Sequence, residues 1–207
     1  MFIPTEKILF ICLLTTVTFC GLWQVGHGAY IHAKAILAQL LLESAWSETL
    51  AGAREVKPWP WADTWPVSRL AAPRLGISRI VLAGASGASL AFGPGHLFGT
   101  APADQAGNSV IAGHRDTHFR FLQYLTDGDV LLLETSEGKQ RRYQVTLTRV
   151  IHESEIGYLQ QTRENRLTLI TCFPFNSPVG GGAQRYIVIA REIEKADGIN
   201  SGAIIAI

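Results

Sequence analysis

The chain has 207 residues and a formal net charge of +1, with 18 Lys and Arg set against 17 Asp and Glu. No basic cluster extends beyond Arg141-Arg142, so the broad positive surface of a nucleic-acid binder is missing and nucleic acid is not expected as a partner. Cys12 and Cys20 sit in an apolar N-terminal segment and cannot reach Cys172, so no disulfide is expected; His27, His32 and His152 have no carboxylate or cysteine partner at zinc-like spacing, so neither a metal nor a cofactor is expected.

Residues 8–25 form an 18-residue stretch without Asp, Glu, Lys or Arg. As a helix it would span about 27 Å, against a hydrocarbon core of about 30 Å. Residues 1–29 therefore read as a membrane anchor. A cleaved signal peptide is the competing reading, but the His27-Gly28-Ala29 junction lacks a small residue three places before the cut. Lys7 and the amino terminus, diluted by Glu6 and opposed by Lys34, point to an inside N-terminus.

Residues 30–56 open with a second expected helix over 30–50. His32, Gln39, Glu43 and Ser47 fall on one face and Leu37, Leu41 and Ala45 on another, as in an amphipathic helix; a plain extension of the anchor is the alternative. All five tryptophans precede residue 66, and Trp59, Trp61 and Trp65 alternate with Pro58, Pro60 and Pro66. Residues 57–66 are thus a stiff, extended linker whose indoles either sit at lipid headgroups or dock on the following domain, with docking favoured.

Residues 67–193 are enough for one domain with a real core. Short apolar runs at 77–82, 108–112, 130–134, 142–150, 166–171 and 185–193 alternate with glycine, proline and aspartate turns, which predicts an all-β barrel or sandwich. Glu137-Gly138-Lys139 fits a hairpin corner, and 119–125 a short helix. Residues 194–207 are a tail, an edge strand or disordered segment, with no function assigned.

Three strand ends carry the chemistry. Thr168-Leu169-Ile170-Thr171-Cys172 puts the one cysteine outside the apolar segment where a buried strand opens into a Pro174, Pro178 and Gly180-Gly181-Gly182 loop. Asn108-Ser109-Val110-Ile111-Ala112-Gly113-His114 ends a second strand in a histidine, and Arg185 enters a third. A free thiol of pKa about 8.5 is only slightly ionised at neutral pH, so a neighbouring imidazole is a useful proton partner. Attack on a peptide carbonyl makes an oxyanion that a guanidinium can stabilise, and the protonated imidazole can then protonate the departing amine. Cys172 is the candidate nucleophile, His114 the acid and base, and Arg185 the stabiliser.

Each has a bland reading: a core thiol, a strand-end histidine bonded to backbone, an edge charge. His118, four residues beyond His114, either contacts substrate or caps a loop, while His96 after Gly93-Pro94-Gly95 shapes a rim. The triple glycine is not a phosphate loop, because Ala183-Gln184-Arg185 stand where a lysine and a hydroxyl would follow; it reads as a mobile or merely permissive turn.

These blocks resemble the sortases. Thr168 to Cys172 match a Thr-Leu-x-Thr-Cys motif, Gly113-His114 a glycine-histidine after a short strand, and Arg185 the arginine of the next strand, at spacings of 58 and 13 residues. Phe92-Gly93-Pro94-Gly95-His96, Gly99-Thr100-Ala101 and Gly113-His114-Arg115-Asp116-Thr117-His118-Phe119 resemble the class D-like branch, including single sortases of Gram-negative bacteria; the likeness covers about residues 66 to 193. Ala103-Asp104, where a glycine is expected, is a departure.

The resemblance implies an eight-stranded sortase-type β-barrel and a cysteine transpeptidase. Such an enzyme would cut a Leu-Pro-x-Thr-Gly-like signal of a secreted protein between Thr and Gly, then pass the thioester on Cys172 to an amine acceptor on the cell envelope. It implies a single-pass inner-membrane protein with its catalytic domain on the periplasmic side, and Thr171 as a neighbouring substrate contact. A cysteine endopeptidase using the same residues with water, and a non-catalytic peptide-binding barrel, are the alternatives.

Overall fold

Alternation of inward and outward side chains organises the chain from Pro66 onward. The computed structural model describes residues 4–193; the expectation for residues 194–207 lies outside the described residues. Eight strands run β1 Pro66–Ala72, β2 Ile77–Ala83, β3 Gly95–His96, β4 Asn108–Ala112, β5 Val130–Thr135, β6 Gln140–His152, β7 Arg166–Cys172 and β8 Gln184–Glu192. They close into a barrel in the order β1-β2-β3-β4-β7-β8-β6-β5. The sheet is mixed: β2 with β3 and β4 with β7 are parallel, the rest antiparallel. Inward residues such as Leu70, Val81, Ile111, Leu133, Leu169 and Val188 fill the interior, where each side chain contributes roughly 1.5–3 kcal/mol by leaving water. Phe119 and Leu122, at a 3₁₀ turn over Arg120–Tyr124, pack onto the same core.

The apolar runs locate six of these strands; β1 and β3 escape them. In β1 the buried positions are Pro66, Ser68, Leu70 and Ala72, so the inward face is too small and polar to read as apolar. Two residues long, β3 is set by close backbone approach instead. A Cβ on Gly95 would stand 2.1 Å from the Gly84 carbonyl oxygen, which only glycine permits.

The chain divides into two compact units, 1–41 and 42–207. The first is helical: α1 spans Thr5–Leu50, about 69 Å at 1.5 Å per residue. Leu9, Phe10, Leu13, Leu22 and Leu40 project their apolar surface outward, and the helix is long and apolar enough to cross a membrane, compatible with a single-pass anchor. It has no break near residue 30, so the expected second helix is a continuation of the first.

Its last turns belong to the second unit, and the buried stripe there is Leu42, Ala45, Trp46 and Thr49, not the Leu37, Leu41 and Ala45 face expected. Leu42 and Trp46 pack on Ile80 and Leu82 of β2. Arg69 of β1 lies over the Trp46 ring at 5.9 Å and pairs with Glu43 at 2.6 Å. Residues 57–66 lie along the barrel: Trp59 meets Phe92 edge-on at 4.8 Å, Thr64 Oγ1 donates to the Ala83 carbonyl at 2.7 Å, and Trp61 faces solvent.

In the turn after β1, Arg74 Nη2 donates to Asp129 Oδ2 at 2.6 Å and the Thr126 backbone N–H to the same oxygen at 2.7 Å. The Arg74 hydrogen bond is the main cause holding the Asp129 carboxyl down at about 2. A depressed carboxylate stabilises the fold above its unfolded pKa, about 4, and ceases to do so as pH falls through about 2.

Two measurements check this packing. Trp46→Ala should lower unfolding free energy by roughly 3 kcal/mol in denaturant titration. Asp129→Asn should lower Tm at pH 7, and its gap from wild type should shrink as pH approaches about 2.

Candidate active site

Two ladders sharing β7 decide which residues meet. In the parallel ladder Asn108 matches Arg166 and Ala112 matches Ile170; in the antiparallel ladder Ile170 matches Ile187 and Cys172 matches Arg185. Along β7, Leu167 and Leu169 enter the core with Thr171, so Ile170 and Cys172 face outward. Ile170 packs against an outer apolar patch of Ile151, Ile187 and Ile189, with Tyr158 from the 3₁₀ turn Ile156–Leu159. Cys172 stands at the open end of that patch, partly exposed, directly across from Arg185.

His114 follows two residues after Ala112, the last β4 residue paired with β7. The Gly113 N–H donates to the Ile170 carbonyl at 3.1 Å, and the Thr171 hydroxyl donates to the Gly113 carbonyl at 2.7 Å. Gly113 is needed here because a Cβ would stand 2.7 Å from the Phe119 ring. The Phe119 N–H in turn donates to the His114 carbonyl at 3.0 Å, so the histidine sits at the start of a turn bound on both sides. His114 itself is exposed.

The three residues expected as catalytic thus lie at adjacent strand ends on one rim. Arg185 is already engaged: Nη2 donates to Glu153 Oε2 at 2.6 Å, and Nη1 to the Gly182 and Gln184 carbonyls at 2.5 and 2.9 Å. Thr171 differs from its expected part as a substrate contact. It is 3% exposed and its hydroxyl is used on Gly113, because β7's alternation turns it inward with Leu169. His118 is half-buried; burial pushes its imidazole below the usual range, with positive charge at Arg79 and His114 acting the same way and a hydrogen bond to the Ala91 backbone opposing. His96 Nε2 bonds the Ala101 carbonyl at 2.9 Å and Thr100 Oγ1 at 3.1 Å, fastening a rim loop.

Two charged neighbours were not singled out from the sequence. Glu153, in the turn after β6, gives no signal before the fold is known. Arg115 is 3% exposed and donates to backbone carbonyls of the segment after Cys172; its one signal is adjacency to His114. That segment begins with Phe173 and Phe175, which form an aromatic cluster with Tyr186, the Phe175–Tyr186 centroids being 5.2 Å apart. It ends in Gly181 and Gly182, both at positive φ. Far from Cys172, Arg141 closes the other end of the barrel on Glu192 at 2.6 Å and holds the Ala103 and Gln105 carbonyls, so the departing Ala103-Asp104 stretch is tied down. Among the described residues, no group of three or more His, Cys, Asp or Glu side chains is placed to hold a metal ion.

The fold is thus a closed eight-stranded mixed β-barrel. The family model for the sortase domain matches residues 70–193, and the chain belongs to the sortase family. It is 31% identical over 122 residues to Sortase D of Bacillus subtilis (strain 168), covering 58% of this chain and 61% of that protein. The match therefore spans less than two thirds of that relative's length. Among solved structures, sortase C-1 from Actinomyces oris is similar at 29% identity and a TM-score of 0.56, over 62% of this chain and 75% of that one. A Clostridium perfringens Sortase D5, described as a transpeptidase, is similar at 25% identity and a TM-score of 0.56, over 73% and 89%.

Removing the Thr171 hydroxyl leaves the buried Gly113 carbonyl short of a partner. Thr171→Val should therefore cost about 1–3 kcal/mol of unfolding free energy, measured by denaturant titration.

Proposed function

We propose that this protein is a membrane-anchored cysteine transpeptidase that cleaves a Leu-Pro-x-Thr-Gly-like sorting signal between Thr and Gly. The observation that carries the reading is the register Cys172 opposite Arg185, with Gly113, the residue before His114, bonded to Ile170 and Thr171 of the same strand. His114 accepts the thiol proton as Cys172 Sγ attacks the Thr carbonyl carbon. Arg185 donates to the oxyanion, exchanging a loop carbonyl for the substrate oxygen while Glu153 keeps the guanidinium in place. The C–N bond breaks as protonated His114 delivers its proton to the leaving glycine nitrogen. An acceptor amine, deprotonated by His114, then attacks the thioester and restores the thiol.

Beside Cys172, the partly exposed Ile170 and Tyr158 border a buried cluster of Ile151 and Ile187 and offer apolar surface to the leucine and proline of such a signal. Thr171 holds the histidine's strand end, and half-buried His118, its imidazole pushed below the usual range by burial, is a second candidate substrate contact. Helix α1 serves as the single-pass anchor in the cytoplasmic membrane, with the barrel on its outer, periplasmic side. The partners are a secreted protein bearing the signal and an envelope amine.

The test incubates the full chain in detergent with a fluorogenic signal peptide, with and without an amine acceptor, and reads products by mass spectrometry. The expected product is the peptide joined to the amine. Cys172→Ala and His114→Ala should abolish it, and Arg185→Ala should lower kcat by about 10²-fold or more. Turnover retained in Cys172→Ala would reject the mechanism, and free acid as the product even at saturating amine would make the protein an endopeptidase.

A further inference from the structure

Outside the three rim residues, the least ordinary charged group is Arg115. Its side chain is 3% exposed, and among the described residues the carboxylate paired with it, Asp116, is 3.4 Å away and 65% exposed. Taking a cation out of water costs several kcal/mol even after relaxation, so such a group persists only where its donors are well used. They are: Nη1 donates to the Pro174 carbonyl at 2.9 Å, and Nη2 to the Ser177 and Val179 carbonyls at 3.0 and 2.5 Å. All three acceptors are backbone atoms of the segment that follows Cys172. The arginine itself follows His114.

We infer that Arg115 is a positioning residue that clamps the loop after the nucleophile to the loop carrying the imidazole, and so sets His114 against Cys172. Rigid and free parts of the post-cysteine loop separate cleanly at this clamp. Residues 174–179 are held by the guanidinium and, through Phe175, by the Tyr186 ring. Gly180 and Gly181 have open space around them, and Gly182 offers its carbonyl to Arg185. Movement needed to free Arg185 for substrate can therefore occur in the glycines without disturbing the histidine. A lysine at position 115 keeps the charge but cannot address three carbonyls with a planar fork.

This inference rests on the proposed function, and a readout that needs no turnover separates the two. The rate of Cys172 alkylation by iodoacetamide is followed against pH in the full chain for wild type, His114→Ala, Arg115→Lys and Arg115→Gln, counting Cys172 adducts by peptide mass spectrometry. Wild type should differ from His114→Ala in its pH profile, and both Arg115 variants should move toward the His114→Ala profile. Their kcat for transpeptidation should fall at least about 10-fold with KM changed less than about 3-fold, and Arg115→Lys should keep more activity than Arg115→Gln. Arg115→Lys retains the buried charge and gives the decisive reading should Arg115→Gln fail to fold. Arg115→Lys with a wild-type alkylation profile and unchanged kcat would overturn the clamp while leaving the catalytic reading intact. A wild-type profile identical to that of His114→Ala would overturn the thiol–imidazole pairing, and the clamp with it.

Discussion

One shared strand governs the site. Because β7 pairs in parallel with β4 and antiparallel with β8, residues separated by 58 and 13 positions in the chain are brought to neighbouring places on one rim. Backbone hydrogen bonds set that geometry, and Thr171 reinforces it by binding the Gly113 carbonyl from inside. Slipping β7 by one residue would turn Cys172 into the core and Thr171 out to solvent, so the apolar interior that favours Leu167 and Leu169 inward also selects the orientation of the thiol. Core packing and site geometry are here one constraint.

How much of this was legible in the sequence depended on what each element is made of. Strands such as 166–171 and 108–112 are β-branched and apolar on the buried face, and their pattern survives in the primary structure. β1 hides Ser68 and Pro66 on its inward face, and β3 exists through a backbone approach at Gly95 that no side-chain pattern records. For the helix the sequence leaves two readings open, and the unbroken α1 corresponds to the plain extension of the anchor; the buried stripe of Leu42, Ala45, Trp46 and Thr49 differs from the expected face because the Ile80 and Leu82 surface decides it. Strand-end position alone leaves Cys172, His114 and Arg185 with ordinary readings, and the Thr168 to Cys172 and Gly113-His114 motifs single them out. Thr171's inward turn was available from its alternation with Leu169, whereas the parts played by Glu153 and Arg115 depend on loops whose courses only the fold defines.

Electrostatically the rim is divided between two arginines. Arg185, at the edge of β8, is bound to Glu153 and to loop carbonyls, an exposed arrangement worth little to stability and easily exchanged. Arg115 is buried and held by three carbonyls, an arrangement costly to break. The same cation type is thus held by exposed partners at Arg185 and by buried backbone carbonyls at Arg115, with the glycine turn between the two sets of contacts. The aromatic cluster of Phe173, Phe175 and Tyr186 supports the segment held by Arg115 from the barrel side.

The central claim is that Cys172 forms a covalent bond to substrate with His114 as its proton partner. Intact-protein mass spectrometry of the full chain, quenched in acid after mixing with signal peptide in the absence of added amine, tests this most directly. The account predicts an adduct equal to the peptide up to its threonine, mapped to Cys172, and absent from His114→Ala. An adduct at Cys12 or Cys20, or peptide cleavage proceeding with no covalent species at Cys172, would contradict it.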